Sequence, residues 1–225
     1  MKRALRIIAR SLALTALLIV PVTAWGSGGN ESAPAVPETP ALSPEQIAVN
    51  AYNEGLKLRE KAVELDRTIA EQSDEKKRTK LEKKRGSLFN KASQRFETAI
   101  ENKPDFAQAH GSLGYALRRL GEFERAMEAY DTALSLNPNY PNAIEYRAEA
   151  LLGLGRIPEA QEAYQKLSMI SAEHASELLA AVKVWASDEG HAAAAAEYGV
   201  AEWIAAHEQV SEATGAGSGG GPSSW

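Results

Sequence analysis

Between Ala107 and Tyr140 small and large apolar side chains alternate at helical intervals, and the pattern returns after 34 residues. Leu113, Ala116, Leu117 and Leu120 make one stripe that Gly121 ends, and Phe123, Ala126, Met127, Tyr130, Ala133 and Leu134 make a second. Gly114, Ala126 and Ala133 are small enough to let two helices approach closely, while Phe123 and Tyr130 fill the space between them. Pro138 stops the second helix, because the residue before a proline is driven out of the helical region. A helix pair this short cannot bury its apolar faces alone, so the chain must stack several such pairs. The expected fold class is all-α.

Counted from Ala107, the residues Leu113, Gly114, Leu117, Ala126, Tyr130, Ala133 and Pro138 occupy positions 7, 8, 11, 20, 24, 27 and 32. This register resembles the tetratricopeptide repeat, which implies a helix–turn–helix solenoid acting as an interaction scaffold. One step forward, Ala148, Leu151, Gly155, Ala160, Tyr164 and Leu167 fall at positions 8, 11, 15, 20, 24 and 27, with Arg147 at 7 and Ala172 in place of the proline. A second step gives Trp185, Ala194, Tyr198 and Ala201, a degenerate fourth unit that reads either as a repeat or as a solubilising cap. One step backward, Ala92, Phe96, Ala99 and Pro104 supply a second helix. Its best first helix, around Gly55, lies 25 residues too far upstream. About four units are expected, over 43–106, 107–140, 141–174 and 175–208, within a helical domain spanning 43–213.

The insertion in the first unit is itself patterned. Leu58, Ala62, Leu65 and Ile69 form one face, and Leu81, Leu88 and Ala92 the returning one. The spacing predicts a long helical hairpin reversing near Ser73, with Ser73 as helix cap and Asp74 and Glu75 in the first turn. Each arm would reach roughly 18 Å beyond an ordinary repeat. A disordered charged loop is the alternative, and the apolar stripe argues against it.

The ends read differently. Lys2, Arg3, Arg6 and Arg10 precede an apolar run from Ser11 to Val22 and then Thr23-Ala24, the order of a secretory signal peptide cleaved after Ala24. An uncleaved anchor is the competing reading, although the run is shorter than the about 20 residues a span needs. Residues 25–42 read as a disordered linker and 214–225 as a disordered tail. Ser43-Pro44-Glu45-Gln46 between them is a capping box opening the first helix. Gly215-x-Gly217-x-x-Gly220 lacks the strand and helix that dinucleotide binding requires. Export to a bacterial periplasm or cell envelope is the expectation. With no cysteine there is neither a lipoprotein anchor nor a disulfide framework.

Charge narrows the partners. Removal of the four signal basic residues takes the formal net charge from −5 to −9, which disfavours nucleic acid as a ligand. The positive charge that remains is concentrated: Lys76, Lys77, Arg78, Lys80, Lys83, Lys84 and Arg85 crowd the hairpin tip. From Ser171 onward eight acids face Lys183 alone. The tip is either a solvated helix face or a contact for anionic headgroups, an acidic polymer or the acidic end of another copy, so a homo-oligomer is possible. The histidines His110, His174, His191 and His207 lack local metal-ligand spacing, and there is no nucleophile elbow or phosphate loop. No catalytic residue, metal or cofactor is expected, and His110 reads as a core or groove-edge residue.

The family resemblance implies where a partner would bind: in a concave face lined by the first helices. The positions carried over are Tyr52, Leu56 and Arg59; Gln108, Tyr115, Arg118 and Arg119; Asn142, Glu145, Glu149 and Leu152; then Leu179 and Lys183. Arg118 and Arg119 are candidates to hold a partner's carboxylate bidentately. The lysines and asparagines with which chaperone-tail binders clamp a terminal carboxylate are absent, since those positions hold Tyr52, Leu56, Gly111 and Tyr115. The expected function is a non-enzymatic protein–protein adaptor in the periplasm or envelope, with a protein segment in its groove. The alternative is a structural module that self-assembles or docks on an anionic surface through the hairpin at 57–91.

Overall fold

In a computed structural model the described residues are 41–214, with side chains through Glu208. The expected signal at 1–24, residues 25–40 of the linker and the tail from 215 lie outside them. Among the described residues there are nine α-helices, one 3-10 turn and no strand. They are α1 (Pro44–Ala70), α2 (Glu75–Asn102), α3 (Ala107–Arg119), α4 (Phe123–Leu136), α5 (Pro141–Gly153), α6 (Ile157–Ile170), α7 (Ala172–Ala186), the 3-10 turn Glu189–His191, α8 (Ala192–Glu197) and α9 (Val200–Thr214). Successive helices pair and the pairs stack, so the fold is the all-α solenoid that the spacing prescribes.

The capping box forms as read: Gln46 N–H donates to Ser43 Oγ at 3.2 Å, and Ser43 N–H donates to Gln46 Oε1 at 2.9 Å. From there α1 runs for 27 residues and α2 returns for 28, making the insertion a helical hairpin. Its cap differs from the expectation. Asp74, not Ser73, caps α2 by accepting from Lys77 N–H at 3.0 Å, and its carboxylate suits the positive helix end better than a hydroxyl does. The hairpin interior is filled by Ala62, Phe89 and Ala92, all buried, with Leu58 and Leu88 half-buried beside them. Phe89, absent from the stripe read in the sequence, is its largest buried side chain.

Close approach within each pair depends on the residue at position 8. A Cβ at Gly114 would lie 2.6 Å from Tyr130 Cε1, and one at Gly55 would lie 2.5 Å from Phe96 Cε1. The same small-against-aromatic contact therefore recurs on both sides of the insertion. The tight turns repeat too: Gly121 and Gly155 both take positive φ, 79° and 70°, closing α3 and α5 with left-handed caps.

The fourth unit departs from the frame at both ends. Ser171 is extended and caps α7, accepting from His174 N–H at 3.5 Å. With Ala172 where earlier units carry proline, α7 starts at once, at residue 172. The position after Gly155 in the repeat is Glu189, which lies in the 3-10 turn. The second helix then breaks at Gly199, whose φ is 57°. Tyr198 is left 41 % exposed, while Val200 is fully buried and Trp203 packs on Tyr164 with ring centroids 5.0 Å apart. The register through Trp185 and Ala194 packs on the core, but Tyr198 and Ala201 do not: Val200, Trp203 and Ile204 cover the last repeat instead.

Candidate partner-binding groove

The first helices α1, α3, α5 and α7 lie side by side, and polar side chains cross between them. Between α3 and α5, Arg118 forms an ion pair with Glu149, both essentially buried, with the guanidinium carbon 5.3 Å from the Tyr115 ring and 5.6 Å from the Tyr146 ring. Between α1 and α3, Arg119 Nη2 donates to Asp66 Oδ2 at 2.6 Å and its Nη1 to the Tyr115 hydroxyl at 3.1 Å. The other Asp66 oxygen accepts from Arg85 Nη1 at 2.9 Å, which ties α2 into the same cluster.

These contacts correct several expectations. Arg118 and Arg119 do hold carboxylates, but internal ones, because the stacked helices bring Glu149 and Asp66 within reach before any partner arrives. Tyr115, Glu145, Glu149, Leu152 and Leu179 are buried and form the floor of the helix stack, where they cannot line an open surface. Arg85 belongs to the Asp66 cluster. The hairpin tip keeps Lys76, Lys77, Arg78, Lys80, Lys83 and Lys84 exposed. Lys183 pairs with Glu208 of α9. His110 is half-buried at the edge of α3, its Nε2 2.9 Å from the Pro104 carbonyl.

What stays open is a cavity of about 230 Å³ lined by Tyr52, Leu56 and Arg59 from α1, Gly111 and Ser112 from α3, Tyr140 at the entry to α5, and Asn142, Ala143 and Tyr146 of α5. Of the sequence candidates it unites Tyr52, Leu56, Arg59 and Asn142; Gln108 is exposed on α3 but does not line it. Gly111 makes room for Tyr140, whose Cε1 would lie 3.0 Å from a Cβ there. Arg59 stands 5.4 Å over the Tyr115 ring and, among the described residues, makes no ion pair. Tyr140 and Tyr146 were missed because both fall outside the positions carried over from the family. Their hydroxyls hold their protons firmly: burial pushes the Tyr140 group up, and burial with the Glu145 carboxyl beside it pushes Tyr146 up to about 12. The cavity therefore offers neutral aromatic walls and one cation.

One further cluster was invisible to a search for local spacing. Glu145 of α5 meets His174 and Glu177 of α7, with ligand-type atoms all within 4.8 Å of one another. Burial, then the Glu149 and Glu177 carboxylates, pushes the Glu145 carboxyl up to about 9.

Two sequence models described as tetratricopeptide repeat match the chain, one over residues 82–144 and the other over 117–183. No curated protein matches it. Among solved structures, one described as the first TPR of Spaghetti (RPAP3) bound to HSP90 peptide SRMEEVD is similar at 19 % identity, covering 60 % of this chain and 96 % of that one, with a TM-score of 0.42.

Proposed function

The chain is a tetratricopeptide repeat protein through residues 82–183, and from that premise we propose that it is a non-enzymatic adaptor holding a partner segment in the cavity between α1, α3 and α5. Repeats of this kind serve as protein-interaction modules, and the observation that carries the reading here is Arg59. Among the described residues it is a guanidinium without a carboxylate, set among Tyr52, Tyr140 and Tyr146, while Arg118 and Arg119 pair internally. Tyrosine and arginine are the side chains that most often dominate interface energetics. A peptide carrying an acidic group beside an apolar or aromatic residue matches that lining.

The workplace we propose is the periplasm or cell envelope, on the strength of the basic, apolar and small-residue order of residues 2–24. Fractionation with N-terminal sequencing tests it: the mature chain should start at Trp25, and a cytoplasmic chain retaining Met1 would refute it. For the groove, affinity purification from envelope extract should compare the wild type with the triple variant Tyr52→Ala, Arg59→Ala and Asn142→Ala. The expected result is loss of specific partners with the helical spectrum retained. Identical partner sets would sink the groove reading.

A second reading has its own support: six exposed cationic side chains on the first turns of α2. Docking on an anionic surface through them predicts co-sedimentation with anionic vesicles that falls steeply with salt. It should vanish when Lys76, Lys77, Lys80, Lys83 and Lys84 become glutamine. Vesicle binding unmoved by those substitutions would reject the reading.

A further inference from the structure

We propose that Glu145, His174 and Glu177 form a binding site for one divalent metal ion of the zinc class, bridging α5 to α7. The donors have the right chemistry, since one imidazole and two carboxylates are ordinary zinc ligands, with a water completing four-coordination. They come from two helices whose backbones are fixed by the buried stack, Glu145 from α5 and the His174/Glu177 pair one turn apart on α7.

Three observations point to a ligand here rather than to a plain acidic patch. Glu145 is 3 % exposed, and its Oε2, itself buried, meets no N–H or hydroxyl donor; the side chain its carboxyl bonds to is the Glu177 carboxyl. A carboxylate oxygen in that position is costly unless something occupies it. That same oxygen faces His174 Nε2 at 3.9 Å, too long for a hydrogen bond. An ion seated between the two at about 2.0–2.2 Å from each would span this gap. Finally, His174 Nδ1 lies 2.7 Å from Ser171 Oγ. In the tautomer that donates from Nδ1 to the serine, the Nε2 lone pair faces Glu145. Metal-bound histidines are commonly oriented through their other nitrogen in this way.

Carboxylates and imidazole bind an ion in their deprotonated forms, so zinc affinity should rise with pH. Glu149 remains with Arg118 and takes no part in the ligand set. The groups facing the site from the packed elements are therefore Glu149 and Arg118, already neutralised by each other, and Ser171 and Tyr146, which stay neutral near pH 7.

The test uses the full chain after chelator treatment, titrated with zinc chloride in a calorimeter and followed by thermal unfolding. The expected result is one zinc per chain and a saturable rise in the midpoint. Glu145→Gln and His174→Ala should each weaken zinc binding by more than about tenfold, and Ser171→Ala by about tenfold through loss of orientation. The Glu145→Gln chain keeps the shape of the side chain and adds no charge to the buried stack, and a retained helical spectrum shows it to be a valid comparison. His207→Ala, on α9, should leave affinity unchanged. Zinc binding that is absent, or equal in wild type and Glu145→Gln, overturns the site; magnesium or calcium competing on equal terms with zinc overturns the assignment of ion class.

Discussion

Arg118 and Glu149 meet where almost no water reaches, at 4 % and 1 % exposure. Taking both charges out of water is costly, and their attraction offsets that cost only while both are present. Arg118→Leu should therefore destabilise the chain by about 3–5 kcal/mol, because it removes the cation that neutralises a buried carboxylate. The double change Arg118→Leu with Glu149→Leu should restore most of the loss, since two apolar side chains need no partner. Urea unfolding of the wild type and the two variants measures both effects, and a double variant no better than the single would show that the pair itself is net stabilising. Glu145 carries a pH dependence of definite sign. With metal chelated, the folded chain holds on Glu145 a proton that the unfolded chain has released above its ordinary value of 4.5, and keeps it up to about 9. Stability from this group is thus highest at acid pH and falls by at most about 1.4 kcal/mol per unit as pH rises through that window. Glu145→Gln removes the slope, so the variant should gain on the wild type steadily from pH 5 to 9, as thermal midpoints across that range would show.

At the scale of the helix, the hairpin is held to the repeats by Asp66. Its two oxygens accept from Arg119 of α3 and Arg85 of α2, in a cluster where the Arg119 side chain is 5 % exposed. Asp66→Ala removes the carboxylate that bridges the two guanidinium groups. A loss of about 2–4 kcal/mol is expected, from hydrogen bonds to charged groups worth roughly 1.5–3 kcal/mol each, in part recovered by water. Hydrogen exchange should accelerate first in 57–91, with α5 and α6 little changed; uniform acceleration would mean that the cluster supports the whole stack. The hairpin was legible from Leu58, Ala62 and Leu65 because helical period survives any neighbour. Asp66 was not: an acid on a charged helix looks like solvated surface until its partners, 19 and 53 residues away, are placed. The same holds for Arg118. Position in the repeat brought it to the inner face, but only packing decides whether an inner-face arginine meets a partner protein or a glutamate on the next helix.

For the stacked body as a whole, the question is how a one-dimensional array ends. Each repeat needs a neighbour for its apolar face, so the last one requires a cover with a polar outer side. The sequence frame ran on past Trp185, yet the turn glycine present at 121 and 155 is missing at 189, and Gly199 breaks the helix that should follow. The missing turn glycine and the added break at Gly199 mark where the 34-residue frame ends. In α9, Val200, Trp203 and Ile204 face Tyr164 and Trp185 of the preceding elements, while Ala201, Glu202, Ala205 and Ala206 face outward. Trp203 touches Tyr164, and His207 packs on both, edge-on to Tyr164 at 4.8 Å between centroids and tilted against Trp203 at 4.4 Å. If this segment is a cap, truncation after Ser187 should expose Tyr164, Leu178 and Trp185 together, giving a chain with most of its helix but strong binding of a hydrophobic dye and a rising light-scattering signal. Trp203→Ala should produce a milder form, costing about 3 kcal/mol or somewhat less because the ring is only partly buried. A truncated chain that stays monomeric and dye-silent would instead make α7 the natural end of the stack, and α9 an appendage free to serve another surface.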